Sequence, residues 1–182
     1  MVNIYKVGLT ILQQEIMRLL FIKAGDSLNA RRVAKLLNVS PPAVAKALPF
    51  LEKQKLISLE QDKTSKRWSI EFNRSNYKAM QLKRADNLKQ IYESGLAYFL
   101  EKEFAGATIV LFGSYSRGED TITSDIDIAI MGRKEKDVNL SYFDKTLERK
   151  VSLAFYKSFK EIHKNLRENI CNGIVLIGGV DL

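Results

Sequence analysis

Cysteine and histidine are nearly missing: the 182 residues include one of each, Cys171 and His163. A lone cysteine cannot close an internal disulfide, so a reducing, cytoplasmic setting is expected. One histidine argues against a His-based zinc site or a Ser-His-Asp triad. Cys171 stands before an apolar segment and reads as a small core residue rather than a nucleophile. Long apolar runs are lacking too. The stretch Gly173 to Val180 near the C-terminus is far too short to span a bilayer, and Met1 to Lys6 has no secretory h-region. No membrane partner is expected, and there are no internal repeats or low-complexity segments. With 46% hydrophobic residues the chain can bury a real core, as one domain or as two small ones.

Charge is present and uneven. Residues 1–74 hold 13 Lys/Arg against 6 Asp/Glu, a net of +7, whereas residues 106–182 hold 11 of each. A basic surplus confined to one segment is the footprint of nucleic-acid binding, although a solubilising surface produces the same count.

The basic segment has a helical pattern. Leu12, Ile16, Leu19 and Leu20 recur at helix spacing between Leu9 and Lys23. Gly25-Asp26-Ser27 breaks the pattern. Asn29 can cap a short helix over Ala30 to Leu37, with Val33, Leu36 and Leu37 facing inward. Ser40 then caps a third helix with Pro41 at its first position, running through Ala43, Val44, Leu48 and Leu51. Pro49 lies inside this helix, where a kink or an early end is expected. Two strands follow, Leu56 to Glu60 and Trp68 to Phe72, joined by a basic turn.

Three helices and a hairpin resemble a winged helix-turn-helix, placed at residues 1–74. The resemblance implies double-stranded DNA as a partner, with helix three in the major groove. Pro42, Ala43, Lys46 and Ala47 would then face DNA. Arg31, Arg32 and Lys35 would lie near the backbone, and Lys63, Lys66 and Arg67 would reach phosphate or the minor groove from the wing. Winged helices also serve protein contacts, so both uses stay open. Beyond the polar run Asn73 to Asn76, residues 75–182 open with a helical pattern from Tyr77 to about Phe104, dented at Gly95.

Most informative is the stretch from Thr108 to Ile128. An apolar run, Thr108 to Phe112, meets a Gly113-Ser114 turn. After a polar loop, a second apolar run carries Asp125 and Asp127. Residues two apart in a strand share a face, so the two carboxylates project side by side while Ile126, Ile128 and Ile130 enter a core. Such a pair is tolerated at a solvated edge, or is held together by a divalent cation. Mg²⁺ favours carboxylate oxygens and commonly brings phosphates with it. A glycine lets backbone approach a phosphate, and a helix start after it offers free N–H groups.

This cassette, Val110-Leu111-Phe112-Gly113-Ser114, Ser116-Arg117-Gly118, then Ser124-Asp125-Ile126-Asp127, resembles the minimal nucleotidyltransferases of the DNA polymerase beta superfamily. The resemblance covers roughly residues 85–182. It implies an α+β chain in which the winged helix-turn-helix precedes a small mixed-sheet nucleotidyltransferase domain. It also implies an enzyme that moves a nucleotide from an NTP to an acceptor hydroxyl. Asp125 and Asp127 would be the catalytic, Mg²⁺-holding pair. Gly113 and Ser114 would grip the outer phosphates. Arg117 would neutralise phosphate charge or fix the turn.

The family's third carboxylate is absent from the next strand, Lys150 to Tyr156, where Ser152 and Ala154 face away from the core. Glu148, Asp144 and Glu119 are substitutes to weigh. The gap leaves a second reading open: a non-catalytic, antitoxin-like DNA-binding regulator that uses the domain to sense nucleotide or engage a partner. A partner protein as acceptor and a homodimer are compatible with either.

Overall fold

A computed structural model describes residues 8–61 and 68–179. They form an α+β chain of two compact units, one ending at Ala79 and the other beginning at Met80.

In the N-terminal unit, α1 spans Ile11–Ile22 and starts in a capping box: the Thr10 hydroxyl accepts from the Gln13 N–H while the Gln13 side chain accepts from the Thr10 N–H. Asn29 caps α2 (Ala30–Leu37), and Ser40 caps α3 (Pro41–Lys53), as their side chains suggest. Strands β1 (Ile57–Gln61) and β2 (Trp68–Phe72) pair antiparallel. Leu28 adds a bridge to Ile70, each backbone N–H donating to the other's carbonyl. Ile16, Leu20, Val33, Val44, Leu51 and Ile70 are fully buried or nearly so, and Phe21 meets Phe72 edge-on. This is a winged helix-turn-helix by its own geometry.

Three local expectations are corrected in this unit. The α3 helix does not end early but continues through Pro49 to Lys53. Pro49 and Ala45 both lie on the exposed face, so the Ala45 carbonyl that loses its N–H partner can turn to water. Ala47 faces the core instead of outward, and buried Gln13 donates from its side-chain nitrogen to the Ala47 carbonyl at 3.4 Å. Leu36, expected inside, is 50% exposed.

The single long helix expected from Tyr77 is two helices, α4 (Tyr77–Glu93) and α5 (Leu96–Glu103). The break is at Gly95, whose φ of +79° is left-handed and ends one helical run before the next begins. Next come β3 (Thr108–Phe112), the short α6 (Gly113–Arg117), β4 (Ile126–Met131), α7 (Ser141–Leu147) and β5 (Val151–Tyr156). A 3-10 turn at Phe159–Glu161, α8 (Lys164–Cys171) and β6 (Ile174–Ile177) complete the unit. Strand order is β5-β4-β3-β6, with β4 and β5 parallel and the other pairs antiparallel.

Alternation along the central strands sorts two cores. Ile109, Leu111, Ile126, Ile128 and Ile130 pack with Ile91, Leu96, Leu100 and Phe143 on one face. Val110, Phe112, Ala129 and Met131 pack with Phe159, Ile162 and Ile170 on the other. Cys171 is exposed at the end of α8, not a core residue as expected, because Ile170 takes the inward position there. Among the described residues no helix is long and apolar enough to cross a membrane.

Candidate active site

The site is assembled where β3 gives way to α6. Gly113 has a φ of +74°, and a Cβ there would collide with the Asp127 carboxylate oxygen Oδ2. Glycine therefore serves twice at this position: it permits the left-handed turn, and it makes room for an acidic side chain pressed against the backbone. The helix start has no side-chain cap, since Phe112 occupies the capping position. Ser114 is half-buried, whereas Ser116 is buried and spends its hydroxyl on the Gly113 carbonyl at 2.9 Å.

Strand β4 brings Asp127 to this turn. Asp127 registers against Phe112 across the β3–β4 pair, which brings it to the end of β3 where the chain turns. Asp125 is exposed just ahead of the strand, and Asp127 is half-buried on the same face. Burial, and then the neighbouring Asp125 charge, push the Asp127 carboxyl above its ordinary value. A pair of oxygen-donor carboxylates, with Asp127 cradled where only a glycine fits, matches what a hard divalent cation takes. Ser152 completes the near surroundings. It registers beside Asp127 on the parallel strand β5, and its hydroxyl donates to Asp125 Oδ2 at 3.3 Å.

None of the substitute acids joins the pair. Asp144 accepts from the Val151 N–H at 2.8 Å and so pins the start of β5. Glu119 pairs with Arg117 at 2.8 Å, and Glu148 ends α7 in a left-handed conformation. Among the described residues no three His, Cys, Asp or Glu side chains cluster as a metal site. Arg117 is held on two sides, by Glu119 and by Asn169 of α8 at 3.0 Å. It braces the turn after α6 in this arrangement.

A set of residues unnoticed in the sequence holds the turn from behind. One stripe of α4, spaced three and four apart, presents Met80, Lys83, Arg84 and Asn87. Arg84 Nε donates to the Ser116 carbonyl at 3.1 Å, and Asn87 donates to the Tyr115 carbonyl at 3.0 Å and to Asp120 at 2.7 Å. Lys83, fully buried, pairs with Asp120, and buried Arg149 reaches the other oxygen of the same carboxylate at 3.5 Å. Gly118 lies so close to α4 that a Cβ would stand 2.8 Å from the Arg84 backbone nitrogen. Loop, helix and the entry to β5 thus meet at Asp120. Its partners lie 33, 37 and 29 residues away in sequence, so no local pattern could have disclosed them.

In the N-terminal unit, Arg31 on α2 and Lys46 on α3 are exposed, as are Pro42 and Lys35. Lys63, Lys66 and Arg67 lie outside the described residues.

The class of domain follows from strand, glycine turn and paired aspartates in one small mixed sheet. Residues 93–177 match the family model of the nucleotidyltransferase domain, so the C-terminal unit carries a domain of that family. No curated protein matches the chain. Among solved structures, the chain is similar to a MepR–DNA complex from S. aureus at 25% identity and a TM-score of 0.38, covering 52% of this chain and 81% of that one. It is similar to a single-residue mutant of ZitR from Lactococcus lactis at 25% identity and 0.39, covering 58% and 68%. The adhesin competence repressor AdcR of Streptococcus pyogenes matches at 24% identity and 0.41, covering 54% and 69%. At these TM-scores the likenesses add nothing to the fold, which rests on the elements described above.

Proposed function

We propose that the C-terminal unit binds a nucleoside triphosphate with Mg²⁺ and transfers its nucleotide to an acceptor hydroxyl, while the winged helix engages double-stranded DNA. The observation that carries this reading is Asp127 pressed against the Gly113 turn with the Asp125 carboxylate beside it. The N–H groups at the start of α6 and the Ser114 hydroxyl suit the outer phosphates. Asp125 and Asp127 would hold Mg²⁺, which when bound supplies positive charge against the triphosphate. Arg117, tied to Glu119 and Asn169, keeps the turn in shape. The acceptor oxygen attacks the α-phosphorus and pyrophosphate leaves. The protein's part in this is placement and exclusion of other geometries. The basic surplus of residues 1–74, with Arg31 and Lys46 exposed, supports the DNA-binding half of the proposal. A cytoplasmic setting suits a chain whose only cysteine is a free, exposed thiol.

A neutral Ser152 beside the pair favours a second reading, in which nucleotide is bound and sensed without turnover. Both readings share the triphosphate site, so binding is tested before transfer. Each NTP is titrated into wild type and into Asp125→Asn/Asp127→Asn, with Mg²⁺ and with EDTA. At least one nucleotide should bind wild type in a Mg²⁺-dependent way and fail to bind the double variant. Equal binding by both proteins, or none by either, would remove the site. Once a nucleotide is known, release of pyrophosphate separates enzyme from sensor.

A further inference from the structure

We propose that Ser152 is a positioning residue that holds Asp125 for a single divalent cation and, being neutral, limits the site to one. This inference rests on the triphosphate site proposed above.

The placement is specific. Ser152 is the β5 residue that registers with Asp127, and it shares with Asp127 the face of the sheet opposite the isoleucine core. Its hydroxyl donates to Asp125 Oδ2. Asp125 precedes β4 and is exposed, so little else restrains its side chain on that side. One hydrogen bond that fixes a carboxylate ligand from behind raises the affinity of the ion it holds. Charge sets the number. The two carboxylates carry two negative charges, enough for one divalent ion, and the serine adds an oxygen but no charge. A second divalent ion beside the first would face strong repulsion with no third carboxylate to offset it. Of the acids weighed as substitutes, Asp144 and Glu119 are committed to the Val151 N–H and to Arg117.

The test counts ions and does not depend on turnover. The full chain is titrated with Mn²⁺ alone, bound ion being read from the loss of the free-ion EPR signal. Wild type should saturate at one specific ion per chain, and Asp125→Asn/Asp127→Asn should lose it. Ser152→Ala should keep one ion with affinity lowered about tenfold, and Ser152→Thr, which restores the hydroxyl, should recover it. Ser152→Asp should gain a second ion, while Ser152→Asn, similar in size but uncharged, should not. Thermal unfolding of each variant shows that the fold is kept. Two equivalent ions in wild type would overturn the inference while leaving the triphosphate site standing. So would a Ser152→Asp protein that folds yet still binds one, or a Ser152→Ala protein with unchanged affinity. No specific ion in wild type would overturn the inference too, and the nucleotide titration above then decides whether the triphosphate site falls with it.

Discussion

Asp127 carries a charge that the folded chain holds at a cost. Burial and the adjacent Asp125 raise its pKa, so the ionised carboxylate costs more in the folded state than in the unfolded chain. The sign for stability follows. The raised pKa favours the fold fully below the ordinary carboxylate range, and that advantage is lost as pH rises through the raised folded value. Without metal or nucleotide, Asp127→Asn should therefore unfold at a higher temperature than wild type at neutral pH. The difference should shrink as the pH is lowered through the acid range. Calorimetry across that range checks both. Asp120 is the opposite case, a buried carboxylate whose loss leaves the Lys83 and Arg149 charges without their shared counter-charge. Asp120→Ala should cost about 3–5 kcal/mol, read by urea unfolding. Lys83→Met should cost less, since Arg149 and Asn87 still meet the carboxylate. These two aspartates differ in legibility. Asp127 stood out because its partners, Asp125 and Gly113, lie close in sequence and strand alternation fixes its direction. Asp120 did not, because each partner comes from a distant element.

Caps and turns were readable where one side chain decides the matter. Asn29 and Ser40-Pro41 start their helices as their chemistry suggests. The same local reasoning misjudged Pro49, because its cost depends on whether the freed carbonyl is exposed, and exposure is set by packing. It also treated Gly95 as a dent, where a left-handed residue makes a full break between α4 and α5. Glycine substitutions separate these effects. Gly95→Ala meets no atom within 4 Å, so only the left-handed backbone opposes it, about 1–2 kcal/mol. Gly118→Ala adds a collision with the α4 backbone to a similar φ, so it should be clearly more damaging in the same unfolding assay. Pro49→Ala restores a helical N–H on an exposed face and should raise the unfolding temperature.

At the scale of the whole molecule, the chain joins a basic winged helix to a unit balanced in charge, with the domain match confined to residues 93–177. If the first unit binds DNA, affinity should fall steeply with salt. Arg31→Ala and Lys46→Ala should each weaken binding and lower the slope of log affinity against log salt by about 1, measured by fluorescence anisotropy. Fold class and the paired aspartates were legible in the sequence because periodicity and one short cassette encode them. The hold of α4 on the turn from Gly113 to Gly118 was not, because polar residues on a helix usually mean solvent. The most direct measurement is thermal unfolding of wild type and Asp125→Asn/Asp127→Asn, each without ligand and with Mg²⁺ and an NTP at about 100 times its Kd. Ligand should stabilise wild type by about 2.7 kcal/mol and leave the variant unmoved. The variant should be the more stable protein without ligand and lose that lead when Mg²⁺ and the nucleotide are added. Parallel shifts in the two proteins, or no shift with any nucleotide, would contradict the assignment of the triphosphate site to this pair.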